Sequence, residues 1–162
     1  MSSGTSAKKF IRSSHIVGLN EFHFEWCPKY RYACMRKEYI NKEVGRLIRQ
    51  AAEEYRIIIK IMAVGSDHVH LDAVIPFGMT PSEAIGKMKG RSAYLIFRRF
   101  PTFRMRYPRG HFWSIGKFSR SMSGVSSDVV GNYISNQQFE KLHESMAFAR
   151  EEFRQTNLES FL

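Results

Sequence analysis

Residues 56–76 read RIIIKIMAVGSDHVHLDAVIP. The β-branched run from Arg56 to Val64 halts at Gly65-Ser66-Asp67, residues suited to a tight turn, and apolar alternation resumes from His68 to Pro76. This pattern predicts a β-hairpin. Successive side chains of a strand point to opposite faces, so Val69 and Leu71 face a core while His68, His70 and Asp72 share the other side. An isolated hairpin is marginal in water, so its apolar face must be covered by other elements.

Those elements flank it. Upstream, Ile40, Val44, Leu47, Ile48, Ala51, Ala52 and Tyr55 recur every three or four residues and predict a helix from about Glu38 to Tyr55. Before that helix, Phe22, Phe24 and Trp26 alternate with His23, Glu25 and Cys27, which predicts a first strand running into Lys29-Tyr30-Arg31. Downstream, Thr80-Pro81-Ser82-Glu83 is a helix-start signature, and the helix should reach about Arg99. His111 to Met122 alternates as a fourth strand. Ser126-Ser127-Asp128 then offers a cap for a third helix carrying Tyr133. The order β, α, β, β, α, β, α points to an α+β fold: a ferredoxin-like or RRM-like antiparallel sheet of four to five strands, helices on one face, and a further helix bearing Tyr133. The Ser-, Gly- and Lys-rich residues 1–14 read as a flexible tail, 15–138 as the domain, and 139–162 as a charged helical tail.

Composition narrows the functional class. The chain has 162 residues, 43% of them hydrophobic, which suffices for one domain with a real core. Its two cysteines, Cys27 and Cys34, form no C-x-x-C pair and read as reduced thiols. No apolar run approaches a bilayer span and no secretory signal opens the chain, so the cytoplasm is the expected location. The formal net charge is +10. Between Glu83 and Asp128 there is no acidic residue, whereas Lys87, Lys89, Arg91, Arg98, Arg99, Arg104, Arg106, Arg109, Lys117 and Arg120 all lie there. Such a segment favours a polyanion. Within it Tyr94, Phe97, Phe103, Tyr107, Phe112 and Trp113 offer rings for stacking on unpaired bases, with Phe97 and about half of the others expected in the core.

Chemistry concentrates at two places. His68 and His70, with Cα atoms roughly 7 Å apart on one strand face, can close on a single metal ion. Two imidazoles do not fill a coordination shell, and Asp72 and Gln137 are both candidates for a further ligand. Tyr133 sits in Gly131-Asn132-Tyr133-Ile134-Ser135-Asn136-Gln137, where helical spacing puts positions 133, 136 and 137 on one face. A phenol, an amide and a nearby metal make a set suited to phosphoryl transfer. A nucleotide-binding P-loop is absent: Gly86-Lys87 is followed by Met88, and Pro81 stands where its first glycine belongs.

Pro28-Lys29-Tyr30-Arg31, Asp67-His68-Val69-His70-Leu71, Met88-Lys89-Gly90-Arg91-Ser92 and Tyr133-Ile134-Ser135-Asn136-Gln137, in this order and spacing, resemble the HUH single-tyrosine transposases of the smallest insertion sequences, the IS200/IS605-like group. The resemblance runs from about Glu21 to Gln138. It implies that His68 and His70 bind a divalent metal, Mg²⁺ or Mn²⁺, that Gln137 is the third protein ligand, and that Tyr133 is the nucleophile. It further implies single-stranded DNA hairpin ends as substrate and a homodimer in which one subunit's tyrosine helix completes the other's site. Asp72 departs from the family pattern, which is usually aliphatic there, and leaves open a carboxylate in the metal shell. Lys29, Arg31, Lys87, Lys89, Arg91, Lys117 and Arg120 are the expected DNA contacts. The competing readings are a non-catalytic single-strand-binding module, which leaves the histidine pair and Tyr133 unexplained, and an HUH nuclease of replication or conjugation, which the short chain disfavours.

Overall fold

A computed structural model of the protein describes residues 11–12 and 17–122. The predicted helix carrying Tyr133, Gln137 and the 139–162 tail lie outside the described residues.

The hairpin forms as the sequence indicates. Strand β4 (Ile58–Val64) pairs antiparallel with β5 (Val69–Val74), with a register shift between Ile59 and Ile61. Gly65 N–H donates to the His68 carbonyl at 2.8 Å and closes the turn. β5 pairs on its other side with β3 (Glu21–Trp26), which pairs in turn with β6 (Phe118–Ser121). The four-stranded order β4-β5-β3-β6 is the antiparallel split β-α-β arrangement expected. A separate two-residue ladder joins β1 (Ile11–Arg12) to β2 (Val17–Gly18), so part of the expected tail is paired.

Two helices cover the apolar face. Helix α1 (Glu38–Glu54) buries Ile40, Val44, Leu47, Ile48, Ala51 and Ala52, the stripe read from the sequence. It ends in a Schellman arrangement: Arg56 takes φ +58°, its N–H reaches the Glu53 carbonyl, and Ile57 N–H reaches the Ala52 carbonyl. Helix α2 (Pro81–Arg99) starts with a complete capping box between Thr80 and Glu83 and with Pro81 at its first position. Both helices meet Phe24, Trp26, Val69, Leu71 and Ala73 in one core. Full burial of each large apolar side chain here contributes roughly 1.5–3 kcal/mol.

The fourth strand is shorter than His111–Met122. Only Phe118–Ser121 is strand, while His111–Lys117 runs irregularly with a single bridge from Trp113 to Pro28. Phe112 and Trp113 are both buried in the core although adjacent, which strand alternation forbids. Trp113 is fixed there by its indole N–H, which donates to the fully buried Ser92 hydroxyl at 2.9 Å. A short helix α3 (Phe103–Arg106), unforeseen from the sequence, fills the stretch between Pro101 and Pro108. Among the described residues no helix is long and apolar enough to cross a membrane.

Candidate active site

The register of β3 against β5 decides what shares the second face of the sheet. His23 lies opposite Asp72 and Glu25 opposite His70, with Phe24 and Leu71 directed into the core between them. His68 immediately precedes β5 rather than lying in it, and its ring packs edge-on to that of His70 at 4.8 Å between centroids. The sequence-read pair is therefore together. Both residues are buried, at 7% and 2% exposure.

Two carboxylates orient this face. Asp67 Oδ1 accepts from His68 Nδ1 at 2.7 Å, and its Oδ2 accepts from Arg31 Nε at 3.2 Å. Burial works to raise the Asp67 carboxyl, but the His68 hydrogen bond and the Arg31 charge outweigh it and hold the group below the usual aspartate value. A His68 ring that donates from Nδ1 to Asp67 leaves Nε2 as the nitrogen a metal ion would use. Asp72 Oδ1 bonds His23 Nδ1 at 2.7 Å, and the His23 ring stands 5.7 Å from that of His70. Asp72 is thus engaged by His23. Among the described residues no group of three or more His, Cys, Asp or Glu is placed to hold a metal ion. The two imidazoles and the Asp67 support suit a divalent cation that takes its remaining ligands from elsewhere. Gln137 and Tyr133 lie outside the described residues.

Gly65 makes this packing possible. A Cβ added there would fall 2.7 Å from His68 Cε1 and 2.8 Å from its Nε2, closer than real contacts allow. The imidazole rests against a backbone that only glycine leaves bare.

The expected DNA contacts divide. Arg120 lies opposite His23 on β6 and is exposed, so the structure brings it to the chemical face. Lys29 lies 5.2 Å over the Tyr30 ring, and Arg31 is tied to Asp67. Lys87 lies 4.8 Å over the Tyr55 ring, Arg91 donates to Glu54 at 2.6 Å, and Lys117 donates to the Ser82 hydroxyl at 2.6 Å. Lys89 does a different job: its ammonium donates to the carbonyls of Ser114 at 2.6 Å and Gly116 at 3.0 Å, anchoring the irregular loop, and burial lowers its pKa to about 8. Of the aromatics in the basic segment, Phe97, Tyr107, Phe112 and Trp113 are core and Phe100 and Phe103 pack against it, which leaves Tyr94 and Phe118 exposed. Cys27 and Cys34 are free thiols, and burial raises the Cys34 pKa.

Sequence reasoning missed His23, Gly65 and Asp67 as parts of the site. The alternation of Glu21–Trp26 already placed His23 with the polar set, whereas Gly65 and Asp67 were read only as turn residues. It also missed Tyr30 and Tyr32, which are exposed beside Arg31.

The family model described as "Transposase IS200 like" matches residues 17–137. The transposase for insertion sequence element IS200 of Salmonella typhimurium is 26% identical over 117 residues, covering 72% of this chain and 76% of that protein. The ISDra2 transposase TnpA of Deinococcus radiodurans is 27% identical over 121 residues, covering 72% and 83% respectively. A Deinococcus radiodurans crystal structure described as a transposase superposes with a TM-score of 0.64 at 22% identity, over 78% of this chain and 97% of that one, and so shares the fold.

Proposed function

The chain belongs to the family of IS200-like transposases, and from that premise we propose that it cleaves and rejoins single-stranded DNA at the ends of an insertion sequence, with Tyr133 as nucleophile. The observation that carries the reading is the His68–His70 pair, with ring centroids 4.8 Å apart and His68 Nδ1 held 2.7 Å from Asp67 Oδ1. A pair of solvated surface histidines would be exposed, whereas these two are 7% and 2% exposed.

His68 and His70 would hold a divalent cation, Mg²⁺ or Mn²⁺, with Gln137 as the third protein ligand. Such an ion, when bound, polarises a phosphate oxygen and helps the phenol lose its proton. The rest is the chain's own work. The Tyr133 oxygen attacks the scissile phosphorus, the P–O3′ bond breaks, and the departing oxygen takes a proton to become a 3′-hydroxyl. A 5′-phosphotyrosine holds the bond energy, so a later attack by a 3′-hydroxyl reseals DNA without a nucleotide cofactor. Arg120, beside His23, is suited to bind the strand's phosphates. In this proposal the enzyme is a homodimer, with the tyrosine helix of each subunit able to complete the other's site.

The test uses an end-labelled single-stranded hairpin oligonucleotide taken from the DNA flanking the coding gene, with Mg²⁺ or Mn²⁺, read on a denaturing gel. The expected result is a covalent protein–DNA adduct that Tyr133→Phe abolishes. A single-strand-binding module would retain the DNA under native conditions and give no adduct, and that outcome would overturn the proposal.

A further inference from the structure

Residues 29–32 form a cationic and aromatic patch in which Tyr30 and Tyr32 take no part in the proposed chemistry. Tyr30 is 62% and Tyr32 40% exposed, with ring centroids 5.4 Å apart. Lys29 lies 5.2 Å over the first ring, and Arg106, from α3, lies 5.5 Å over the second. Tyr32 also leans on the buried Tyr107 at 5.8 Å, which gives the patch a rigid floor.

The backbone beneath is unusual. Tyr30 and Arg31 are consecutive non-glycine residues in the left-handed region, at φ +64° and +52°. Non-glycine residues are uncommon in that region and carry some strain, which fits a turn whose side chains have a role where they stand. The arginine has a visible task. It joins the patch to the site through Asp67, whose other oxygen holds His68. The turn is anchored at its start by Lys29 N–H, which donates to the Phe112 carbonyl at 2.8 Å. The two tyrosines are thus displayed on a braced turn two hydrogen bonds from the histidine pair.

We propose that Tyr30 and Tyr32 form a stacking platform for an unpaired base of the DNA strand passing beside His68, with Lys29 and Arg106 meeting the flanking phosphates. This rests on the single-stranded DNA reading above and adds a binding site to it. Bases stack on aromatic faces with little regard for sequence, and duplex DNA keeps those faces hidden inside the helix. The platform therefore selects single strands over duplex.

The test is binding, in EDTA, of a fluorescein-labelled dT20 oligonucleotide and of a 20-base-pair duplex, followed by anisotropy. Full-length protein and its Tyr30→Ala, Tyr30→Phe and Tyr30→Ala/Tyr32→Ala variants are compared. Tyr30→Ala should weaken dT20 binding about 10-fold and the double variant further. Tyr30→Phe should stay within about threefold, and duplex affinity should not move in any variant. Tyr30 is mostly solvent-exposed, so the single variant tests the idea even should the double variant fold poorly. Equal dT20 affinity in wild type and Tyr30→Ala overturns the platform, as does a parallel loss of duplex binding. Because this readout needs neither metal nor Tyr133, it fails separately from the adduct assay.

Discussion

Gly65→Ala perturbs the site with one methyl group. The added Cβ would lie 2.7, 2.8 and 3.0 Å from Cε1, Nε2 and Nδ1 of His68, where ordinary contact begins at 3.4 Å. The imidazole must therefore retreat by about 0.7 Å, and a metal or catalytic constellation tolerates only about 0.5 Å. It cannot simply swing outward, because the residue is buried and its ring is bonded to Asp67 and packed on His70. Gly65 is not among the residues with positive φ, so alanine's backbone is acceptable and the effect arises from the methyl group. Overpacking should lower stability by about 1–2 kcal/mol. Misplacement should slow single-turnover hairpin cleavage roughly 10- to 100-fold, with a matching loss of Mn²⁺ affinity. Gly86→Ala is the control: nothing lies within 4 Å of its Cβ, and cleavage should be unchanged. If Gly65→Ala cleaves within twofold of wild type and binds Mn²⁺ equally well, His68 is not the ligand this packing implies.

Other perturbations read separate parts of the structure. Ser92→Ala leaves the buried Trp113 indole N–H without its acceptor and should lower stability by about 1–3 kcal/mol in urea denaturation; an unchanged midpoint contradicts this. Thr80→Ala removes the capping box of α2 and should destabilise by about 1 kcal/mol, whereas Thr80→Ser should be nearly neutral. Lys89 has a folded pKa of about 8 against 10.5 for an unperturbed lysine, so the unfolded chain binds more protons between those values. Wild-type stability should therefore rise with pH through that window relative to Lys89→Met; a difference that does not vary with pH removes the argument.

Much of the architecture was legible because periodicity reports which face is buried. The stripe from Ile40 to Ala52 and the alternation of Phe22, Phe24 and Trp26 mark surfaces that must leave water, and the Thr80–Glu83 box marks where α2 begins. His111–Lys117 misled because alternation is only a local signal. Phe112 and Trp113 are held in the core by long-range partners, Phe97 and Ser92, and Lys89 clamps the carbonyls that follow. The histidine pair was legible because both members lie on one short stretch. Asp72 was legible as a face-sharing carboxylate, but its partner His23 is 49 positions away and becomes visible only through the β3–β5 register. The display of Tyr30 depends on backbone angles that no residue pattern encodes.

The central claim is that His68 and His70 together hold one divalent cation. It is tested most directly by loading the full chain with Mn²⁺ and recording electron spin-echo modulation from coordinated nitrogen. Coupling to two imidazole nitrogens is the expected result, falling to one in His68→Ala or His70→Ala. Bound Mn²⁺ without histidine coupling, or with coupling that survives replacement of both residues, would contradict the account.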